Sequence, residues 1–180
     1  MKKLIPLLIP VAAAALLAAC QSTSSPKPDE AARATAALQP TKGSKAFGEA
    51  TFEQAGDKVR VIVFAQGLKP DAEHGFHIHE AGDCSSGDGM SAGGHFNPAT
   101  KSHGNVHAGG DRHAGDLPNL KADSYGKATA SFDVTGITVG SGAADIVGKG
   151  LIVHRDPDDF KTQPTGNAGP RVACAVIQKS

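Results

Sequence analysis

Lys58-Val59-Arg60-Val61-Ile62-Val63-Phe64 decides the fold class. Successive side chains of a strand point to opposite faces, so Val59, Val61 and Val63 share one side. Just upstream, Ala55-Gly56-Asp57 has the turn chemistry of a hairpin, which joins this strand to one over 46–54. Further out, 33–39, 74–80, 125–134, 146–154 and 171–178 show the same short-strand character, and nothing after residue 30 sustains a helical period. Seven or eight short strands with turn punctuation predict an all-β domain. The expected architecture is a Greek-key antiparallel β-sandwich or flattened barrel of about eight strands.

One stretch breaks this rhythm. Residues 81–116 contain nine Gly and no convincing strand. So long a loop needs a cross-link or a function to order it. This one carries Cys84, His95, His103, His107, His113 and Asp116.

Composition narrows the function classes. The chain has 180 residues, which fits one domain, with 18 Lys+Arg against 18 Asp+Glu. Zero net charge argues against a nucleic-acid partner, which selects for a basic face. Eight histidines, clustered in the chain, are the outlier.

The N-terminus reads as an address. Met1-Lys2-Lys3 is followed by 16 uncharged residues over 4–19, short for a membrane span and right for the apolar region of a secretory signal. Leu17-Ala18-Ala19-Cys20 resembles the bacterial lipobox, in which the cysteine becomes the acylated N-terminus. Residues 1–19 are therefore expected to be a signal peptide, 20–30 a lipidated, Ser- and Pro-containing tether, and 31–180 the folded domain. Gln21 after the cysteine points to the outer membrane, on the periplasmic side of the bacterial envelope. With Lys2 and Lys3 removed, 16 basic and 18 acidic residues remain. Assigning Cys20 to lipid leaves Cys84 and Cys174 as a candidate pair in an oxidising compartment.

Gly75-Phe76-His77-Ile78-His79 puts two imidazoles on one face of a strand and two apolar side chains on the other. Neutral imidazoles on a rigid strand suit copper or zinc. His95, His103, His113 and Asp116 make up three imidazoles and a carboxylate, enough for a four-coordinate zinc shell. His154 ends the apolar run Leu151-Ile152-Val153 and can reach a site shared with His77 and His79.

The ordered set GFHIHE (75–80), GGHFNP (93–98), RHAGDLPN (112–119), VHRDPDD (153–159) and TGNAGPRVAC (165–174) resembles the bacterial copper–zinc superoxide dismutases over 31–180. The resemblance implies copper ligands His77, His79, His95 and His154, and zinc ligands His95, His103, His113 and Asp116, with His95 bridging. It further implies a Cys84–Cys174 disulfide and Asp158 linking His77 to His103. Arg171 would dock the superoxide anion, and His95 would deliver a proton.

Some residues depart from the pattern. His74 faces away from the His77/His79 pair and is expected to be structural or exposed. His107 competes with His103 for the zinc position, although His103 has the offset from His95 usual in the family. Residues 159–168 carry only Lys161 as a steering charge, and Thr165 matches a channel-lining position of the family. A copper or zinc carrier would use exchangeable Met or Cys ligands, but the only methionines are Met1 and Met90. Monomer and homodimer are both left open.

Overall fold

β1 (Arg33–Pro40), β2 (Phe47–Ala55) and β3 (Lys58–Gln66) form an antiparallel meander. The computed structural model describes Met1 and residues 31–180; the expected signal peptide, Cys20 and the tether lie outside the described residues. The β2–β3 turn closes with Ala55 opposite Lys58, around Gly56 at φ 62°, a left-handed conformation that glycine adopts without strain. Val59, Val61 and Val63 are buried, against Ala50 and Phe52 of β2 and Ala34, Ala36 and Leu38 of β1. Arg60, Ile62 and Phe64 lie on the outer face.

The remaining strands are β4 (Glu73–His74), β5 (Phe76–His79), β6 (Leu120–Lys121), β7 (Ala128–Thr135), β8 (Gly150–His154), β9 (Arg171–Val176) and β10 (Gln178–Lys179). The main sheet runs β5-β8-β9-β1-β2-β3-β7, with β10 beside β1, while β4 and β6 pair separately. The path from β3 to β5 crosses from one end of the sheet to the other, and the path from β7 to β8 returns. β1 is the seam. Its first half pairs with β2 and β10, whereas Gln39 and Pro40 pair with Cys174 and Ala173 of β9. The result is the all-β antiparallel sheet expected, curled into a half-barrel.

The differences from the expected strands are local. The segment 74–80 is interrupted at Gly75, whose N–H leaves the ladder for the Asp156 carbonyl (2.8 Å). A Cβ at Gly75 would sit 2.7 Å from the Ala168 Cβ, so a side chain there is excluded. The strand expected from 125 begins at 128, because the Asp123 carboxylate accepts the N–H groups of Tyr125 and Lys127 and makes a turn. That expected from 146 begins at 150, since the Ile146 N–H bonds across to Thr138. The two-residue β6 is too short to show a period.

The long loop is ordered by two devices. Cys84 and Cys174 form a disulfide with a Cα–Cα distance of 5.9 Å, beside the buried Ala92 and Ile152. Segments 94–96 and 115–116 also run along the otherwise open edge of β5. Phe96 N–H donates to Ile78 O (2.8 Å), Ile78 N–H to Gly115 O (2.9 Å) and Gly115 N–H to Phe96 O (2.8 Å). The unpaired edge of β5 is thereby used up.

The disulfide spans 90 residues of sequence, and closing such a loop restricts the unfolded chain by about 4–5 kcal/mol. The double replacement Cys84→Ser and Cys174→Ser is expected to lose stability of that order in urea unfolding of the metal-free protein. A loss below about 1 kcal/mol would show that the bridge does not restrain the unfolded chain as this entropy model requires.

Candidate metal centre

β5 presents His77 and His79, both fully buried, toward the covering loop. Phe76 and Ile78, the alternate positions, are equally buried in the core. Backbone bridges pair His77 with Asp116 and His79 with His95, so the edge-covering segments deliver their ligating residues directly opposite the strand. β8 ends at His154, where a register shift sets it opposite Arg171 of β9.

Two groups result. Ligating atoms of His77, His79, His95 and His154 lie within 4.8 Å of one another, as do those of His95, His103, His113 and Asp116. Every member is buried, and His95 belongs to both. The rings of His77 and His95 have centroids 4.0 Å apart, and those of His79 and His154 are at 5.6 Å.

Hydrogen bonds select which nitrogen of each ring is free. His79 Nδ1–H donates to Gly93 O (2.9 Å) and His154 Nδ1–H to Gly169 O (3.0 Å). His77 Nε2–H donates to Asp158 Oδ2 (2.8 Å). In those tautomers the opposite nitrogens carry lone pairs. His77 Nδ1, His79 Nε2, His95 Nε2 and His154 Nε2 are the four buried side-chain atoms left without a hydrogen-bond partner among the described residues. Unpaired buried polar atoms are costly and rare. Four converging nitrogen donors are the tetragonal donor set that copper(II) takes.

The second group converges on one point as well. Asp116 Oδ1 lies 2.8 Å from His95 Nδ1, 3.0 Å from His103 Nδ1 and 3.4 Å from His113 Nδ1. The His95 and His113 Nδ1 atoms are 3.4 Å apart. Donors about 2.0–2.1 Å from a tetrahedral zinc are separated by about 3.3 Å, so the spacing fits. Asp116 Oδ2 accepts the backbone N–H groups of Gly104 and His113 (3.1 and 2.8 Å), which aims Oδ1 inward.

Asp158 ties the groups together. Its Oδ1 accepts from His103 Nε2 (2.9 Å) while its Oδ2 accepts from His77. Such outer carboxylates fix tautomer and ring orientation. Gly166, at φ 67°, passes so close that a Cβ would sit 1.7 Å from Asp158 Oδ1. Two amide side chains that sequence reasoning passed over hold this arrangement. Asn119 pairs with the backbone of Asp158 at both N–H and C=O (3.0 Å each), and Gln163 pairs in the same way with His103 (2.9 Å each). Neither residue type announces itself by spacing.

Arg171 lies beside the first group. Its guanidinium donates to Gly89 O and to Gly93 O, the carbonyl that also accepts from His79. His74 is buried and structural, its Nδ1 against His154 O at 2.8 Å. His107 is exposed and belongs to neither group, whereas His103 does. Lys161 is exposed and Thr165 half-buried.

Burial pushes the His77 imidazole down to about 4 and His154 to about 3, with His79 also well below its ordinary value. Burial acts on His103 in the same sense, but its hydrogen bonds to Asp116 and Asp158 outweigh it and lift the ring to about 9. Burial would raise Asp116 and Asp158; their histidine partners hold both well below the usual carboxylate range. His77, His79 and His154 therefore stay neutral and ready to ligate, while His103 in the second group holds a proton that a metal must displace.

Linkage sets the sign of the pH dependence. Below 6.5 the unfolded chain binds protons that native His77 and His154 refuse, so stability falls toward pH 4. Above 6.5 native His103 keeps a proton that the unfolded chain releases, so its contribution fades toward pH 9. The metal-free protein should show a urea midpoint highest near pH 6.5 and falling on both sides. A midpoint flat from pH 4 to 9 would contradict the hydrogen-bond assignment.

The family model described as copper/zinc superoxide dismutase matches residues 46–177. "Superoxide dismutase [Cu-Zn] 1" of Aquifex aeolicus is 40% identical over 141 residues, covering 76% of this chain and 82% of the relative. "Superoxide dismutase [Cu-Zn]" of Paramecium bursaria Chlorella virus 1 is 41% identical over 172 residues, 90% of this chain and 86% of the relative. Among solved structures, that of the clock protein EA4 superposes with a TM-score of 0.74 at 38% identity, covering 83% of this chain and 95% of that one. With residues 46–177 matched and curated relatives near 40% identity, the chain belongs to the copper/zinc superoxide dismutase family, and copper and zinc are the cofactors its two donor groups suit.

Proposed function

We propose that His77, His79, His95 and His154 hold copper, that His95, His103, His113 and Asp116 hold zinc, and that the enzyme disproportionates superoxide in a bacterial envelope, anchored by lipid at Cys20. Two superoxide ions and two protons give one dioxygen and one hydrogen peroxide. The observation that carries this reading is the set of four unpartnered nitrogens, one of them on a ring whose other nitrogen faces Asp116, His103 and His113.

Copper supplies a one-electron couple between Cu(II) and Cu(I), and zinc, which has no redox chemistry, supplies fixed positive charge. The protein does the rest. The hydrogen bonds of His77, His79 and His154 restrain those three rings, so their nitrogens would stay aimed at copper in both of its oxidation states. His95 Nε2 has no protein partner, and it takes up a proton in one half-cycle and delivers it to the reduced anion in the other. Asp116 holds the opposite side of that ring in place throughout. Arg171 uses two of its five N–H donors on Gly89 and Gly93. The remaining ones dock a small monoanion beside His79 and His154.

The location rests on the basic Met1-Lys2-Lys3, the uncharged stretch 4–19 and Leu17-Ala18-Ala19-Cys20. The Cys84–Cys174 bridge supports an oxidising compartment. Among the described residues no helix is long and apolar enough to cross a membrane.

His77→Ala is expected to abolish superoxide turnover in metal-supplied enzyme while circular dichroism shows the sheet intact; undiminished turnover would remove His77 from the copper set. Arg171→Ala should lower kcat/KM at least about tenfold at low salt and flatten its ionic-strength dependence, and an unchanged rate would end the docking role. Cys20→Ser should shift the protein from the membrane fraction to the soluble periplasm. Continued membrane recovery would refute the anchor.

A further inference from the structure

Gln163 lies in the loop between β8 and β9 and reaches across to the metal-bearing loop. Its Oε1 accepts the His103 backbone N–H and its Nε2 donates to the His103 carbonyl, both at 2.9 Å. An amide side chain has one acceptor and a donor pair side by side, which matches the N–H and C=O of a single residue, one from each of the peptide units that flank it. The fit is two-point, so it fixes direction as well as distance. Five residues earlier in the same loop, Asp158 Oδ1 accepts from His103 Nε2 at 2.9 Å. One loop thus grips His103 at backbone N–H, backbone C=O and ring. The ring's remaining nitrogen, Nδ1, points at Asp116 Oδ1.

The loop is built to hold Gln163 there. Asp159 accepts from the Lys161 and Thr162 N–H groups and from the Thr162 hydroxyl, while Gly166 N–H donates to Thr162 O and Asp159 N–H to Gly166 O. Gln163 sits at the turn of this ring of bonds. His103, by contrast, comes from a Gly-rich loop with no strand on either side: Gly104 follows it, and Gly109 and Gly110 lie beyond. Its own loop adds one hold on that backbone, the Gly104 N–H donating to Asp116 Oδ2 (3.1 Å).

We propose that Gln163 is a positioning residue for His103, and that through His103 it sets how tightly zinc is kept. This rests on the zinc assignment made above. Removing the amide leaves the Asp158 contact to the ring and the Gly104 N–H bond to Asp116, but frees the His103 N–H and C=O. Nδ1 then spends less of its time aimed at Asp116. Outer partners of metal ligands commonly change metal affinity by about 10- to 100-fold.

The test is zinc and copper affinity by chelator competition on the full chain, with cobalt(II) absorption as a report on donor geometry at the zinc position. Gln163→Ala should weaken zinc about 10- to 100-fold, shift or broaden the cobalt bands and leave copper affinity within about twofold. Gln163→Glu retains the acceptor for the His103 N–H but loses the donor, and should fall between Gln163→Ala and the parent; it also carries the test if Gln163→Ala fails to fold. A purely structural role would lower the thermal midpoint of the metal-free protein yet leave zinc affinity and cobalt bands unchanged, which overturns the proposal. Equal weakening of zinc and copper overturns it too. His113→Ala separates the two layers. Zinc lost in His113→Ala but kept in Gln163→Ala rejects the role of Gln163 alone, whereas zinc kept in both rejects the zinc assignment and the inference with it.

Discussion

One imidazole ring constrains everything around it. His95 has two nitrogens on opposite sides of a planar ring, and both are committed, Nδ1 toward Asp116, His103 and His113 and Nε2 toward His77, His79 and His154. Two donor groups that share a ring have a fixed separation, so their other members must be brought to His95 from wherever the chain holds them. They come from β5, from the end of β8 and from two parts of the long loop. The open edge of β5 solves most of this problem. Segments 94–96 and 115–116 hydrogen-bond along it, which sets His95 opposite His79 and Asp116 opposite His77.

Gathering six imidazoles and two carboxylates into a buried space is unfavourable unless the polar atoms are matched. The matching is unequal. Around Asp116 and Asp158 each ring finds a charged partner, and His103 is lifted to about 9 as a consequence. On the other side four nitrogens face one another with nothing to bond to. The polypeptide therefore carries a local cost that a ligated cation would relieve. Stability for this arrangement is drawn from elsewhere: the Val59, Val61 and Val63 face, Phe52, Leu38 and Ile78 of the core, and the long-range disulfide.

Gly93 and Gly169 show how little side chain is needed at the rim. The Gly93 carbonyl accepts from both His79 and Arg171, so the orientation of a metal-facing ring and the placement of the guanidinium beside it depend on one peptide unit. The Gly169 carbonyl orients His154 two residues before Arg171 in the chain. The Arg171 guanidinium and the donor set are thus held by common backbone, and a shift in one moves the other.

Much of this was legible in the residues alone. The alternation of Val59, Val61 and Val63 and the turn at Gly56 announced the hairpin, because a half-buried strand must alternate. His77 and His79, two apart on a strand, had to share a face. The odd cysteine count left Cys84 and Cys174 as partners once Cys20 was set aside. Other features depended on chain segments meeting in space, about which local sequence says nothing. The break of the expected 74–80 strand at Gly75 comes from its bond to the distant Asp156 carbonyl, and Ala168, more than 90 positions away, excludes a side chain there. The roles of Asn119 and Gln163 come from a match between an amide and the N–H and C=O of a distant residue, which leaves no periodic trace. The choice of His103 over His107 turns on which of two nearby rings reaches both Asp116 and Asp158. Strand identity and ligand chemistry are properties of residue type and local spacing, so the sequence by itself determined them. Which nitrogen each ring offers, and what holds it there, depends on hydrogen bonds between remote segments, and only the tertiary structure decided that.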